Sequence, residues 1–136
     1  MKESSLQAIG TALYEYNNRY NTKFKLSYRY SLFPKEEGEY GYNDEWPGNK
    51  HAGVYLVMTK DYEILYVGQS KDIGQRLYEH FPPCNGSCNI KEIWQKPPYY
   101  LYIITVPDNA IWERLSLEEF LIQKFEPIDN KRGKEY

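Results

Sequence analysis

Several absences narrow the protein's class. There are only two cysteines, and the opening "MKESSLQAIG" has charge but no apolar run behind it. A secretory leader is therefore not expected, and the cysteines read as free thiols of a reducing compartment rather than a disulfide framework. No segment approaches the roughly 18 consecutive apolar residues of a membrane helix. Internal repeats and low-complexity tracts are missing too. Nor is there an excess of positive charge: the formal net charge is -2, which excludes a global field that would gather nucleic acid but not a local patch. The expectation is an intracellular, cytoplasmic protein without membrane contact, and 136 residues suit one compact domain with a single core.

What is abundant is tyrosine, with 15 copies, most of which are expected to do no more than pack half-wet surfaces. Charge is segregated. Arg19, Lys23, Lys25 and Arg29 form an acid-free basic stretch, Glu36, Glu37, Glu39, Asp44 and Glu45 dominate the next segment, and residues 131–134 are basic again.

Along the chain, residues 6–18 place Leu6, Ile9, Leu13 and Tyr16 near one helical face. "KFKLSYRYSLF" alternates imperfectly and reads as a strand or an extended arm, and "PKEEGEYGYNDEWPGNK" reads as a loop. Residues 1–50 are thus expected to be an extension, helix plus acidic loop and not an independent domain, ahead of a core over 51–131 and a tail over 132–136. In that core "GVYLVMT" and "EILYVG" are apolar, β-branched and aromatic runs joined by "KDY", a β-hairpin. "SKDIGQRLYEHF" follows as a helix capped by Ser70 or Asp72 and stopped by Pro82 and Pro83, and "PCNGSCN" reads as a turn. "YYLYIITV" is a strand, Asp108 or Asn109 can cap a second helix running to about Phe125, and "EPIDNKRGKEY" reads as irregular. The order is β-β-α-β-α, giving an α+β fold with a three-stranded antiparallel sheet flanked by helices.

Polar residues fall on faces that should be apolar. In the first core helix Ile73, Arg76, Leu77, His80 and Phe81 follow i, i+3, i+4, i+7, i+8. In the second, Ile111, Leu115, Ile122 and Phe125 make a stripe, and at about 100° per residue Glu118 lands inside it while Glu119 falls to its flank. One account is a structural Arg76–Glu118 salt bridge between layers. The other is a cleft in which Glu118 holds a metal and Arg76 an anion, with Tyr55 and Tyr66 of the hairpin facing it.

These residues carry a resemblance. "GVY" at 53–55 and "YVG" at 66–68 resemble the name-giving tripeptides of the GIY-YIG nuclease family, with valine for isoleucine in both. "YVGQSKDIGQRLYEHF" and "LEEFLIQKFEPIDN", residues 66–81 and 117–130, resemble that family's helix and its ending, and the glutamate matched by spacing is Glu118. The resemblance implies a metal-dependent endonuclease acting on DNA through one divalent cation, Mg²⁺ or Mn²⁺, held by Glu118. It further implies that Arg76 holds the phosphate, that Tyr55 is the general base with Tyr66 and His80 as a proton relay, and that Asn130 positions Glu118 or closes the site. Lys71 is implied to add positive field or touch a backbone phosphate, and Gly68 to let DNA approach. His80 is expected to titrate in the useful range. Restriction, repair or recombination, and mobile-element roles stay open, and a homodimer would explain double-strand cutting. Two other functions compete: a non-catalytic nucleic-acid-binding module on the same scaffold, and a structural protein with a buried Arg–Glu pair. A zinc site from His80, Cys84 and Cys88 competes for the same histidine.

Overall fold

"GVYLVM" has no polar residue to turn toward water, so it belongs in the middle of a sheet covered on both sides. That is where the chain puts it. Strand β2 (Gly53–Met58) is buried at every position, and antiparallel β3 (Ile64–Ser70) pairs with it from Gly53↔Ser70 through Val57↔Tyr66. The structure, a computed structural model, describes residues 2–32, 45–81 and 94–132, the side chains of 2–6 and 131–132 excepted. In the hairpin turn the Thr59 hydroxyl accepts from Asp61 N and Glu63 N, at 3.2 and 3.1 Å. Tyr62 sits there at φ 66° with its ring stacked on Tyr100, centroids 5.0 Å apart.

On the other side of β2 lies β4 (Tyr100–Thr105), and on its outer edge a two-residue β1 (Tyr30–Ser31). The sheet therefore has four strands in the order β1-β4-β2-β3, which corrects the expected three. The fourth comes from "KFKLSYRYSLF". Its alternation is poor because it is held mainly by backbone pairing: Tyr30 and Ser31 align with Leu101 and Tyr100, and Ser27 N donates to Ile103 O at 3.0 Å.

Helix α1 (Lys2–Tyr20) and helix α3 (Glu113–Phe125) cover one face, where Ile9, Leu13, Tyr16, Leu117 and Leu121 pack on Val54, Leu56 and Met58. Tyr16 OH donates to Ser116 Oγ at 2.9 Å and ties the two helices together. Helix α2 (Ile73–His80), Trp46 and Trp94 cover the other face, with Ile73, Leu77 and Phe81 packed on Tyr55, Val57 and Ile103. Asp72 is the cap: its carboxylate accepts from Gln75 N at 3.1 Å and from Lys50 N at 2.8 Å. Gly74 lies against the backbone of Asn49, where a Cβ would come within 2.6 Å of that residue's Cα.

Two helical expectations need correction. Asp108 opens a short 3₁₀ turn (Asp108–Ala110), and α3 starts only at Glu113. Leu115, assigned to the packing stripe, is 48% exposed, because the helix docks through Leu117 and Leu121 instead. The "irregular" ending contains a further helix, α4 (Ile128–Arg132), begun after Glu126 reverses the chain at φ 45°. The acidic segment 35–44, the "PCNGSCN" turn with Cys84 and Cys88, and residues 133–136 lie outside the described residues.

Candidate active site

The hairpin register explains why the two tripeptides mirror each other. Tyr55 of "GVY" stands opposite Gly68 of "YVG". A Cβ at Gly68 would lie 2.5 Å from both Cζ and Oη of Tyr55 and 2.7 Å from the Tyr66 ring, so only glycine leaves room for the Tyr55 ring to lie flat across its neighbour. The position expected to admit DNA is roofed by the two tyrosines.

The buried Tyr55 side chain ends against α2. Its hydroxyl is 3.0 Å from His80 Nε2, and the rings of Tyr55, Tyr66 and His80 form a triangle with centroid separations of 6.1, 5.8 and 5.8 Å. Trp94 closes that triangle, edge-on to Tyr66 at 5.9 Å and stacked on Phe81 at 5.5 Å. Nothing in the sequence pattern singles out Trp94; only the folded chain brings it there.

Burial, then the neighbouring Arg76 charge, push the His80 imidazole down to about 4, with Glu79 opposing. Burial thus favours the neutral imidazole, in which the tautomer decides whether His80 Nε2 or the Tyr55 hydroxyl donates across the 3.0 Å contact. The same burial raises Tyr55 well above the ordinary phenol range, reinforced by Tyr66 and Glu118, while the Arg76 guanidinium acts in the opposite sense. Tyr66 is raised too, by burial and then by Glu118, with Arg76 again opposing. Both phenols thus feel one cation and one carboxylate, brought in by different helices on opposite faces of the sheet.

Arg76 itself stands at the rim. Its Nη1 is 3.0 Å from Glu79 Oε1, with the two side chains 46% and 51% exposed. The ion pair it makes with Glu79 is thus a local i,i+3 contact along α2. Glu118 is half-buried and Glu119 exposed, and Lys71 is exposed where the chain enters α2.

Asn130 does something else. Its Oδ1 accepts from Val67 N at 2.7 Å and its Nδ2 donates to Val67 O at 2.9 Å. The side-chain amide thereby supplies the missing neighbour of edge strand β3, at the residue between Tyr66 and Gly68. A second clamp holds the far end of that strand, where Arg114 Nε donates to Gln69 Oε1 at 2.7 Å. Sequence reasoning missed Arg114.

Among the described residues no group of three or more His, Cys, Asp or Glu side chains could hold a metal ion by itself. One half-buried carboxylate beside phenol oxygens does fit a hard divalent cation that keeps most of its waters and takes the rest of its shell from a phosphate. His80 Nε2 lies against the Tyr55 hydroxyl, and the cysteines of the zinc alternative lie outside the described residues.

A four-stranded antiparallel sheet with paired tyrosines over a glycine, and an Arg, a His and a Glu converging on them from two helices, defines a GIY-YIG-type nuclease domain. The GIY-YIG catalytic domain family matches residues 51–133, and the chain belongs to that family. It is similar to UvrABC system protein C of Methanosphaera stadtmanae, 35% identical over 98 residues, which are 68% of this chain and 16% of that protein. The protein of the same name from Mycoplasma capricolum subsp. capricolum is 36% identical over 80 residues, 57% of this chain and 13% of its own length. That from Finegoldia magna is 33% identical over 78 residues, 57% of this chain and 12% of its own. The chain therefore spans about a sixth or less of the length of these relatives.

Proposed function

We propose that the protein is a metal-dependent DNA endonuclease in which Tyr55 and His80 together activate the attacking water. The observation that carries this is the 3.0 Å approach of the Tyr55 hydroxyl to a neutral His80 Nε2. A buried phenol with a raised pKa is a poor base if it must ionise first. It works if it takes a proton from water while handing its own to His80, so that no free phenolate is formed. The water oxygen then bonds to phosphorus as the P–O3′ bond breaks. Arg76 holds the phosphate and offsets the charge that builds on it. Its present pair with Glu79 is exposed and solvent-screened, so a phosphate displaces Glu79 readily. Glu118 would hold a divalent cation, Mg²⁺ or Mn²⁺, which when bound would supply positive charge at the phosphate, and the departing 3′-oxygen takes its proton from solvent. Lys71 adds positive field at the entrance, and Asn130 keeps the Tyr66–Gly68 backbone in register under the reacting groups.

The complete burial of Tyr55 favours a second assignment within the same reaction. Tyr66, half-buried, meets the water, and Tyr55 orients it.

Cleavage of supercoiled plasmid with Mg²⁺ or Mn²⁺ tests both. Wild type is expected to cut, while Glu118→Ala and Arg76→Ala lose on the order of 10²–10³-fold in rate. Tyr55→Phe should lose more than Tyr66→Phe if Tyr55 is the base, and less if Tyr66 is. A Glu118→Ala chain that cuts as well as wild type refutes the metal assignment, and an inert wild type refutes the nuclease. The likeness to UvrABC system protein C chains supports a repair-associated setting over a restriction one. Nicks or smears on the plasmid would agree with that, and discrete fragments would speak for a sequence-specific enzyme.

A further inference from the structure

The basic stretch of the N-terminal segment has no place in the active site. After α1 the chain doubles back and runs along the outer edge of β4, and at the start of that run it forms one wall of an open groove. The groove holds about 430 Å³ and is lined by Lys23, Lys25, His51, Thr105 and Asp108 among others. Lys23, Lys25 and His51 are exposed, and neither lysine has an ion-pair partner among the described residues. One exposed acid, Asp108, faces two ammonium groups and an imidazole, so the groove is net positive in a chain whose overall charge is -2.

Its position relative to the reacting groups is fixed by the sheet. Thr105 lies two residues beyond Ile103 on β4, and Ile103 packs in the same cluster as Tyr55. Alternate residues of a strand share a face, so Thr105 falls on the Tyr55 side, while Phe24 and Val106 of the same lining pack with the α1–α3 layer; the groove thus opens at the end of the sheet, where β2 begins and β4 ends. His51 precedes Tyr55 by four residues of extended chain, roughly 13 Å. Between the two lie the entrance to α2 with exposed Lys71, and exposed Lys50, whose backbone N–H caps on Asp72. A backbone strand therefore needs only a few phosphates to reach from the reacting one to the groove.

We infer that Lys23, Lys25 and His51 form a phosphate-backbone track for the DNA strand beyond the cleavage site. The inference rests on the nuclease reading for its substrate and adds the part that grips it.

The test is the salt dependence of binding to a short DNA duplex, measured by fluorescence anisotropy with Glu118→Gln as the parent chain so that nothing is cut. Removing one lysine that neutralises a phosphate should reduce the slope of log Kd against log salt by about 1. Lys23→Ala/Lys25→Ala is expected to flatten the slope by about 2 and to weaken all sequences alike. Lys124→Ala, whose ammonium already pairs with Glu15 at 2.8 Å, should leave the slope unchanged. An unaltered slope in the double variant overturns the track, as does an equal flattening by Lys124→Ala. Failure of the nuclease reading looks different: plasmid left intact by wild type while the two lysines still set the slope.

Discussion

At the residue scale, burial acts strongly on one histidine of the aromatic cluster. His80 ends α2 with its ring between Tyr55, Tyr66 and Trp94, and burial with the nearby Arg76 charge lowers its pKa from 6.5 to about 4. The unfolded chain therefore binds one more proton than the folded one between those values. His80's contribution to stability is complete above about pH 6.5 and is lost as the pH falls toward about 4, a change on the order of 3 kcal/mol. Urea unfolding from pH 7 to pH 4 should show this as a falling midpoint, and His80→Phe should flatten the curve over that window. Equal acid sensitivity in both chains would exclude His80 as its source.

At the element scale, β3 is an edge strand that carries the second tyrosine. An edge strand leaves backbone groups unpaired and its register weakly held. The short helix α4 solves this by presenting Asn130 as a substitute strand neighbour at Val67. Asn130→Ala removes both bonds, and unsatisfied buried groups cost about 1–3 kcal/mol each. With two Val67 groups freed, the expected loss of stability is about 2–6 kcal/mol. It should come with faster hydrogen exchange at the Val67 amide and lower cleavage activity, while the amides of β2 opposite stay protected. If Val67 exchanges no faster in the variant, the clamp is not what holds the strand. Asn130 could be picked out from the sequence, but its partner could not. The two residues are 63 apart in the chain, and a side-chain amide gives no sign of which backbone it will pair with. The same holds for β1, whose two residues are a strand only because β4 has a free edge beside them.

At the scale of the whole molecule the segment before residue 51 is part of the core. Ile9, Leu13, Tyr16 and Phe24 cover one face of the sheet, while Leu32 and Trp46 join the cluster around Tyr55 on the other. The family match begins at residue 51, yet a chain cut there would expose Val54, Leu56 and Met58, which are fully buried in the intact protein. We expect residues 51–136 alone to lack a cooperative thermal transition and near-ultraviolet dichroism. A sharp melt close to that of the full chain would show the extension to be dispensable.

The hairpin, helix α2 and the strand after it were determined by the sequence itself, because apolar period, turn residues and a capping aspartate are local signals that agree with one another. So was the contrast between half-buried Glu118 and exposed Glu119, which follows from helical period even though Leu115, counted in the same stripe, ended in solvent. What only the tertiary structure decided is everything that depends on residues distant in the chain. That includes the fourth strand, the closing Trp94, the clamp of Asn130 on Val67, and the neutral state of His80. Burial and edge pairing are properties of the assembled layers, and no local window of residues contains them.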